Sequence, residues 1–310
     1  MIKILIFGSG GLVGSSLIRK LSLNKEFEVV ATTRKEVDLF NLDETKDFII
    51  NQKPNIIINA AAKVGGILAN NSKRVDFILE NLKINMNLLE ACMHDNEIKI
   101  INLGSSCIYP LDADNPINEK SIMGGKLEPT NSPYAMAKLT AIELGDALNL
   151  QYGHKVINLM PTNLYGPNDN FNANESHVIP GLLVKFHNAK IDQLDKVEIW
   201  GDGSPLREFL FVDDLSFAIE FIIEKGIDNS LLNIGSEKEI SIFNLAKKIK
   251  EVTQFDGDIQ LDKTKPTGNP RKLLDSSIIK SYGWKPTIEL ESGLKMTYDW
   301  YLKNLDNLRN

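Results

Sequence analysis

Cysteine is scarce in this chain: Cys92 and Cys107 are the two among 310 residues. Two thiols in that length speak against a disulfide framework. No apolar run approaches the roughly 20 residues needed to span a bilayer, which excludes a helical membrane anchor from the reading. Basic charge is not in excess either, with 35 Lys and Arg against 41 Asp and Glu and a formal net charge of −6. That balance argues against nucleic acid and anionic membranes as partners. Internal repeats and low-complexity tracts are missing. The opening residues, "MIKILIFG", run straight into a strand pattern and leave no room for a signal peptide. The expected compartment is the reducing cytoplasm. What remains is an ordinary globular composition, 43% hydrophobic and 25% charged, long enough for more than one average domain.

The first half alternates strands with helical patterns. "IKILIFG" (2–8), "FEVVATT" (27–33), "NIIINAA" (55–61), "IKIINLGSS" (98–106) and "KVINLMP" (155–161) are nearly continuous in Val, Ile and Leu. Strands buried on both faces read that way. Helical patterns at 16–23, 76–93 and 133–152 lie between them. The alternation predicts an α/β fold, a Rossmann-type doubly wound parallel sheet. After Pro161 the texture changes. "YGPNDNFNANESH" (165–177) reads as a loop, followed by smaller mixed elements and a terminal helix near 292–304. The division is therefore a dinucleotide-binding domain, 1–165, and a smaller substrate lobe, 166–310, with some later segments returning to the first sheet.

"GSGGLVG" places Gly8, Ser9, Gly10, Gly11, Leu12, Val13 and Gly14 between the first strand and the first helix. Glycines there permit a tight turn and let the backbone approach a pyrophosphate, which the helix N-terminus then holds. An acid at the end of the second strand would favour NAD. "TTRKEVDL" has Arg34 in that slot instead. A guanidinium takes a 2′-phosphate bidentately, so NADP is the expected cofactor.

Tyr134 and Lys138 in "SPYAMAK" are four apart at the start of a helix and share a face. A nearby ammonium, together with the positive charge of an oxidised nicotinamide, is expected to lower the phenol's pKa from about 10 and so make it a proton relay. Ser105, ending the fourth strand, can hydrogen-bond a substrate carbonyl beside Tyr134. The thiol of Cys107 is the unusual element. It reads either as a small apolar core residue, as Cys92 does in "NLLEACM", or as a second pocket group. On an extended segment, residues 105 and 107 point to the same side. His177 in "NESHVIPG" is the other candidate. His94 and His187, on helical surfaces, and His154, in a turn, are assigned no role.

Together these residues resemble the extended short-chain dehydrogenase/reductase family, which acts largely on nucleotide sugars, and the resemblance spans the chain. "AAAKVGGILANN", "LGSSCIYP", "LEPTNSPYAMAK", "MPTNLYGPNDNF", "SHVIPGLL" and "WGDGSPLREFLFVDDL" are similar to its bifunctional members. Those members take GDP-4-keto-6-deoxy-D-mannose, invert C3 and C5, then reduce C4 with NADPH. The resemblance implies Cys107 as epimerisation base and His177 as acid, with Ser105, Tyr134 and Lys138 serving the reduction. It also implies Lys185, Trp200 and Arg207 as nucleotide-sugar contacts. Leu103, Gly104, Ser106, Pro161, Thr162, Asn163, Leu164, Lys138 and His177 are implied around the cofactor, and a homodimer through the helices at 76–93 and 133–152. Two positions depart from the family's pattern: Gly10, where a basic residue often helps hold the 2′-phosphate, and Thr267, where relatives can place an acidic contact. The competing expectations are a C4 reductase of a related GDP-4-keto-6-deoxy-heptose, an NAD-retaining 4-epimerase or dehydratase, and a non-catalytic NADP-binding sensor.

Overall fold

The computed structural model describes residues 1–172, 175–265 and 268–308. Thr267 therefore falls outside the described residues. The chain opens with β1 (Ile2–Phe7), α1 (Leu12–Leu21), β2 (Phe27–Thr32), α2 (Leu42–Gln52), β3 (Ile56–Asn59), α3 (Ile67–Ser72), α4 (Arg74–Cys92) and β4 (Lys99–Leu103). A 3₁₀ turn, Ser106–Ile108, then leads towards α5 (Ser132–Tyr152) and β5 (Lys155–Pro161). Next come β6 (Asn163–Tyr165), α6 (Val178–Ile191), β7 (Lys196–Trp200), β8 (Leu206–Phe211), α7 (Val212–Lys225) and β9 (Leu231–Ile234). The last elements are β10 (Glu239–Ser241), α8 (Ile242–Thr253), β11 (Asp258–Asp262), β12 (Arg271–Lys272), α9 (Ser277–Ser281) and α10 (Leu290–Lys303).

The main sheet has six strands in the order β2-β1-β3-β4-β5-β9, all parallel. Alternate residues of β1 feed two cores. Ile4 and Ile6 pack with Leu17 and Leu21 of α1 and Leu215 and Ile219 of α7. Leu5 and Phe7 pack with Ile49 of α2, Ile84 and Leu88 of α4 and Leu148 of α5. Helices on both faces explain the uninterrupted apolar strands. Each buried Leu or Ile contributes about 1.5–3 kcal/mol. Cys92 lies in the second of these cores, fully buried, and burial pushes its thiol up to about 12.

β9 and α7 come from beyond residue 165 and join the first sheet and its α1 face. The remaining later elements build their own layers. β8 pairs parallel with β6 and β12 and antiparallel with β10, while β7 pairs with β11. An aromatic-rich cluster that includes Phe186, Phe209, Phe211, Leu245, Tyr298 and Tyr301 fills the space between them and α6, α8 and α10. α4 stops at Cys92, so His94 sits in the following turn and not on a helical surface as expected. His154 is buried against the Met93 carbonyl at 3.0 Å, and His187 meets the Tyr298 hydroxyl at 3.0 Å.

The order of strands reverses between β1 and β3, the switch point where such sheets bind ligands. Glycine is required there for two different reasons. Gly8 has φ +75°, and a Cβ on it would meet the Ala60 carbonyl carbon at 2.6 Å. Gly14 has an ordinary backbone, but its Cβ would lie 2.2 Å from the Gly8 oxygen and 2.6 Å from Ser9 Cα. Both obstacles are backbone and cannot rotate away. Gly14→Ala is expected to destabilise the fold by about 1–3 kcal/mol through overpacking. Urea unfolding of the purified variant measures it, and the same substitution should weaken dinucleotide binding.

Candidate functional site

The turn after β1 forms a cradle. Gly11 donates its N–H to the Gly8 carbonyl at 3.0 Å and begins α1 in an extended conformation with no side-chain cap. Ser9 is buried, with its N–H on the Thr32 carbonyl at 3.1 Å, which ties the turn to the end of β2. Gly10 is exposed; Leu12 and Val13 are half-buried along the helix start. Side-chain-free backbone before a helix N-terminus fits the pyrophosphate of a dinucleotide.

Beyond β2 the backbone is shaped by Glu36, which accepts from the Thr33 N–H at 2.7 Å and hydroxyl at 2.5 Å. Arg34 is 70% exposed at its side chain, lies over the Phe40 ring at 5.1 Å and approaches Glu80 of α4 at 3.6 Å. Lys63, just past β3, shares that carboxylate at 2.5 Å. Arg34 thus stands beside the glycine cradle on a partner it can exchange for a phosphate.

The reacting groups gather at the carboxyl end of β4. Ser105 is extended (φ −164°, ψ 147°) and its Oγ accepts from the Cys107 N–H at 3.2 Å, capping the 3₁₀ turn. Cys107 is therefore not on an extended segment, and the expectation that it faces the pocket by strand alternation is corrected. It reaches the same pocket through the turn instead. Cys107 is half-buried, and a negative charge on it would act on both Tyr134 and Arg207.

Lys138 is 2% exposed and donates from Nζ to the Leu103 carbonyl at 2.7 Å. Burial alone holds its ammonium down at about 8. Its nitrogen lies 5.9 Å from the centre of the Tyr134 ring. The phenol was expected to be lowered by this neighbour. Its pKa is raised instead, first by burial and second by the nearby Cys107 charge, with Ser105 opposing. The ammonium is held on a backbone carbonyl in a poorly solvated spot, so Tyr134 keeps its proton and stands as an acid.

His177 is the N-cap residue of α6 and its imidazole caps nothing. His177 is exposed at its surface, yet the surrounding protein lowers its pKa by desolvation. The segment before it is seated on two glycines. The Gly66 N–H donates to the Glu175 carbonyl at 2.8 Å, and a Cβ on Gly66 would meet the Ser176 oxygen at 2.4 Å. A Cβ on Gly65 would stand 3.2 Å from Phe77, whose ring meets Tyr134 edge-on at 6.4 Å. His177 is linked to the Tyr134 pocket through that short stack.

The pocket walls follow from strand ends. The Gly104 N–H bonds the Leu159 carbonyl at 2.8 Å, and a Cβ on it would collide with Met160. Ser106 is buried. After Pro161, the Thr162 hydroxyl and the Asn163 amide both donate to the Glu208 carbonyl, at 3.2 and 2.8 Å, and Leu164 packs on the core. Arg207 of β8 is in register with Lys272 of β12, so two cations share an edge. Burial lowers the Arg207 guanidinium, which donates to the Leu206 carbonyl at 2.8 Å. Lys185 of α6 donates to the Glu198 carbonyl, two residues before the half-exposed Trp200, over which Lys265 sits at 5.7 Å. Lys185 and Trp200 form a separate edge from the Ser105, Cys107 and Tyr134 cluster.

Sequence reading assigned no role to Phe77, Glu80 and Asn81, nor to Lys63 and Lys272, although the last two lie in the family-like stretches "AAAKVGGILANN" and "PRKLLD". The paired glycines of "KVGG" directly after a strand were the available signal for Lys63; Lys272 depends on a strand pairing that sequence does not announce. Among the described residues no helix is long and apolar enough to cross a membrane, and no group of His, Cys, Asp and Glu could hold a metal ion.

A parallel sheet with a glycine cradle at its switch point and a Ser–Tyr–Lys cluster at the next strand ends defines a nucleotide-cofactor enzyme. Residues 4–235 match the NAD dependent epimerase/dehydratase family, and the chain belongs to it. It is 47% identical over 305 residues to GDP-L-fucose synthase 1 of Arabidopsis thaliana, covering 98% of this chain and 94% of that protein. The structure of a GDP-L-fucose synthetase from Naegleria fowleri bound to NADP superposes with a TM-score of 0.89 at 27% identity, over 100% of this chain and 96% of that one. A GDP-mannoheptose C4 reductase from Campylobacter jejuni, also with NADP bound, gives 0.86 at 32% identity over 97% and 98%.

The Lys138 environment has a measurable consequence. Its folded value of about 8 lies below the ordinary 10.5 of an unfolded chain. The folded state therefore binds fewer protons than the unfolded state between those values, and stability rises with pH across that window. In denaturant titrations, wild type should gain stability relative to Lys138→Met as pH is raised from about 8 to about 10.5. A gap that shrinks or stays flat over that range contradicts the assignment.

Proposed function

We propose that this chain is an NADPH-dependent GDP-L-fucose synthase. It converts GDP-4-keto-6-deoxy-D-mannose to GDP-L-fucose by inverting C3 and C5 and then reducing C4. The observation that carries the reading is a thiol, Cys107, set beside the Tyr134 phenol and the Arg207 guanidinium in one pocket. A simple carbonyl reductase has no use for that thiol.

The C4 ketone acidifies the hydrogens on both neighbouring carbons. Cys107 removes one, with the Arg207 guanidinium beside it. The resulting enolate oxygen is held by Ser105 and Tyr134. Inversion needs a proton from the opposite face, and His177 supplies it from its protonated form, which desolvation makes the rarer and the more strongly acidic one. When bound, NADPH supplies the hydride to C4. Tyr134, kept protonated by its surroundings, delivers the proton to the C4 oxygen, and Lys138 holds the pocket's geometry through Leu103.

The cofactor would be held by Gly8, Ser9, Gly10, Gly11, Leu12, Val13 and Gly14, with Arg34 for the 2′-phosphate and Leu103, Gly104, Ser106 and Pro161 to Leu164 for the nicotinamide. Arg207, Lys185 and Trp200 take the nucleotide sugar. Residues 1–165, with β9 and α7, serve the cofactor, and the rest of 166–310 serves the sugar nucleotide. A homodimer through α4 and α5 accords with exposed Val75, Leu79 and Met136 on those helices, at 64%, 49% and 48%. Two free cysteines among the described residues accord with the cytoplasm.

The likeness to a C4 reductase of a GDP-heptose supports a second reading, reduction without epimerisation. Product NMR after incubation with NADPH and the hexose substrate in D2O separates the two: deuterium at C3 and C5 of GDP-L-fucose supports the bifunctional enzyme. Cys107→Ser should abolish C3/C5 exchange and leave cofactor binding intact, while Tyr134→Phe should chiefly stop reduction. GDP-L-fucose formation at the normal rate by Cys107→Ser would remove the base from that position. Arg34→Ala should raise the Kd for NADPH by about tenfold or more, the worth of a charged hydrogen bond, and leave NADH binding nearly unchanged in fluorescence titration.

A further inference from the structure

Five asparagines form a buried amide relay that none of the chemistry above uses. Asn59, Asn102 and Asn158 are register partners on β3, β4 and β5. The Asn158 Nδ2 donates to the Ser230 carbonyl at 3.3 Å, and Asn102 donates to Asn158 Oδ1 at 3.1 Å. Asn59 donates to Asn102 Oδ1 at 3.0 Å and to Asn85 Oδ1 of α4 at 3.1 Å. Asn85 then donates to the Asn81 carbonyl at 2.7 Å. All five are at most 1% exposed. An amide buried without partners is destabilising, so each member of such a chain depends on the next for its partner.

The relay ends on a loop. Asn81 clamps Lys63 twice, accepting from its N–H at 3.1 Å and donating to its carbonyl at 3.0 Å. The same Nδ2 donates to the Phe77 carbonyl at 2.7 Å. Lys63 leads directly to Gly65, packed on Phe77, and Gly66, packed on Glu175 and Ser176. An apolar side chain at 81 could fill the space, yet it could not engage either Lys63 backbone group.

We propose that Asn81 is a positioning residue for the acid side of epimerisation: it fixes the Lys63 to Gly66 loop on which the His177 segment is seated, and the amide relay across the sheet fixes Asn81. This rests on the epimerase–reductase reading. Neither the glycine cradle nor Arg34 hydrogen-bonds Asn81: the loop's link to Arg34 runs through the Lys63 side chain and Glu80, whereas Asn81 holds the Lys63 backbone.

The experiment measures deuterium exchange at C3 and C5 of GDP-4-keto-6-deoxy-D-mannose in D2O with NADP⁺, where no reduction follows, and the Kd for NADPH. Asn81→Leu should slow exchange per folded enzyme by about tenfold or more, since misplacement by about 1 Å has such effects. Its NADPH Kd should stay within about threefold of wild type, a split that simple destabilisation would not produce. Gly66→Ala disturbs the same seat from outside the core, where its Cβ meets the Ser176 oxygen at 2.4 Å, and should give the same split. If Asn81→Leu does not fold, Gly66→Ala decides. Exchange within about twofold of wild type in the folded variants, or parallel loss of exchange and NADPH affinity, overturns the proposal. Absence of exchange in the unaltered enzyme overturns the functional reading, and this one with it.

Discussion

A single buried contact, the Lys138 ammonium on the Leu103 carbonyl at 2.7 Å, organises the reacting end of this molecule. It joins α5, which carries Tyr134, to the end of β4, which carries Ser105 and the turn holding Cys107. Without it, the helix and the strand would still pack through their apolar faces, and the Ser105 hydroxyl would be left as the phenol's polar tie to the strand end. An isolated ammonium in that position is unfavourable, and its depressed pKa records the fact. The fold tolerates it because the sheet and helices around it bury enough apolar side chains to offset one poorly solvated charge.

That same dryness sorts the acid–base groups. Burial raises the phenol and lowers the imidazole, so each is driven towards its neutral form. Arg207 sets a positive charge near the sulfur. A neutral phenol suits protonation of an oxygen, and a thiolate suits removal of a carbon-bound hydrogen. One poorly solvated medium thus moves the phenol up and the imidazole down, each away from its charged form.

Much of this was legible in the chain. β1 to β5 announce themselves as apolar runs, because strands covered on both faces have no polar side to hide. "GSGGLVG" and "SPYAMAK" are local patterns whose partners lie within a few residues, so spacing alone carries the geometry. Legibility fails where contact is tertiary. Nothing local marks β9 as a strand of the first sheet, or α7 as a neighbour of α1. Lys272 acquires significance only through its register with Arg207. Cys107 shows a subtler failure: the right pocket was reached by the wrong local geometry, since the Ser105 hydroxyl turns the backbone into a 3₁₀ cap before the thiol. The Tyr134 direction was missed because pairwise charge reasoning leaves out desolvation, here the larger effect.

Glu208 shows how the two halves of the site are kept in register. It is fully buried on β8, next to Arg207, and accepts from the backbone N–H groups of Glu237 at 2.6 Å and Leu274 at 3.0 Å. Its own carbonyl takes Thr162 and Asn163, the residues that follow β5. One residue thus binds the end of the main sheet, the loop after β9 and the strand region after β12. Gly235 leaves room for it, for a Cβ there would lie 2.4 Å from Oε1. A carboxyl so deeply buried has its pKa raised by desolvation while these N–H donors pull it back. Apolar packing alone could slide by a fraction of an ångström between the two halves; directional bonds to fixed backbone groups cannot. The position of Arg207 relative to Cys107 is therefore set by the hydrogen-bond geometry of its neighbour, and the substrate-side cation is held where the cofactor-side sheet ends.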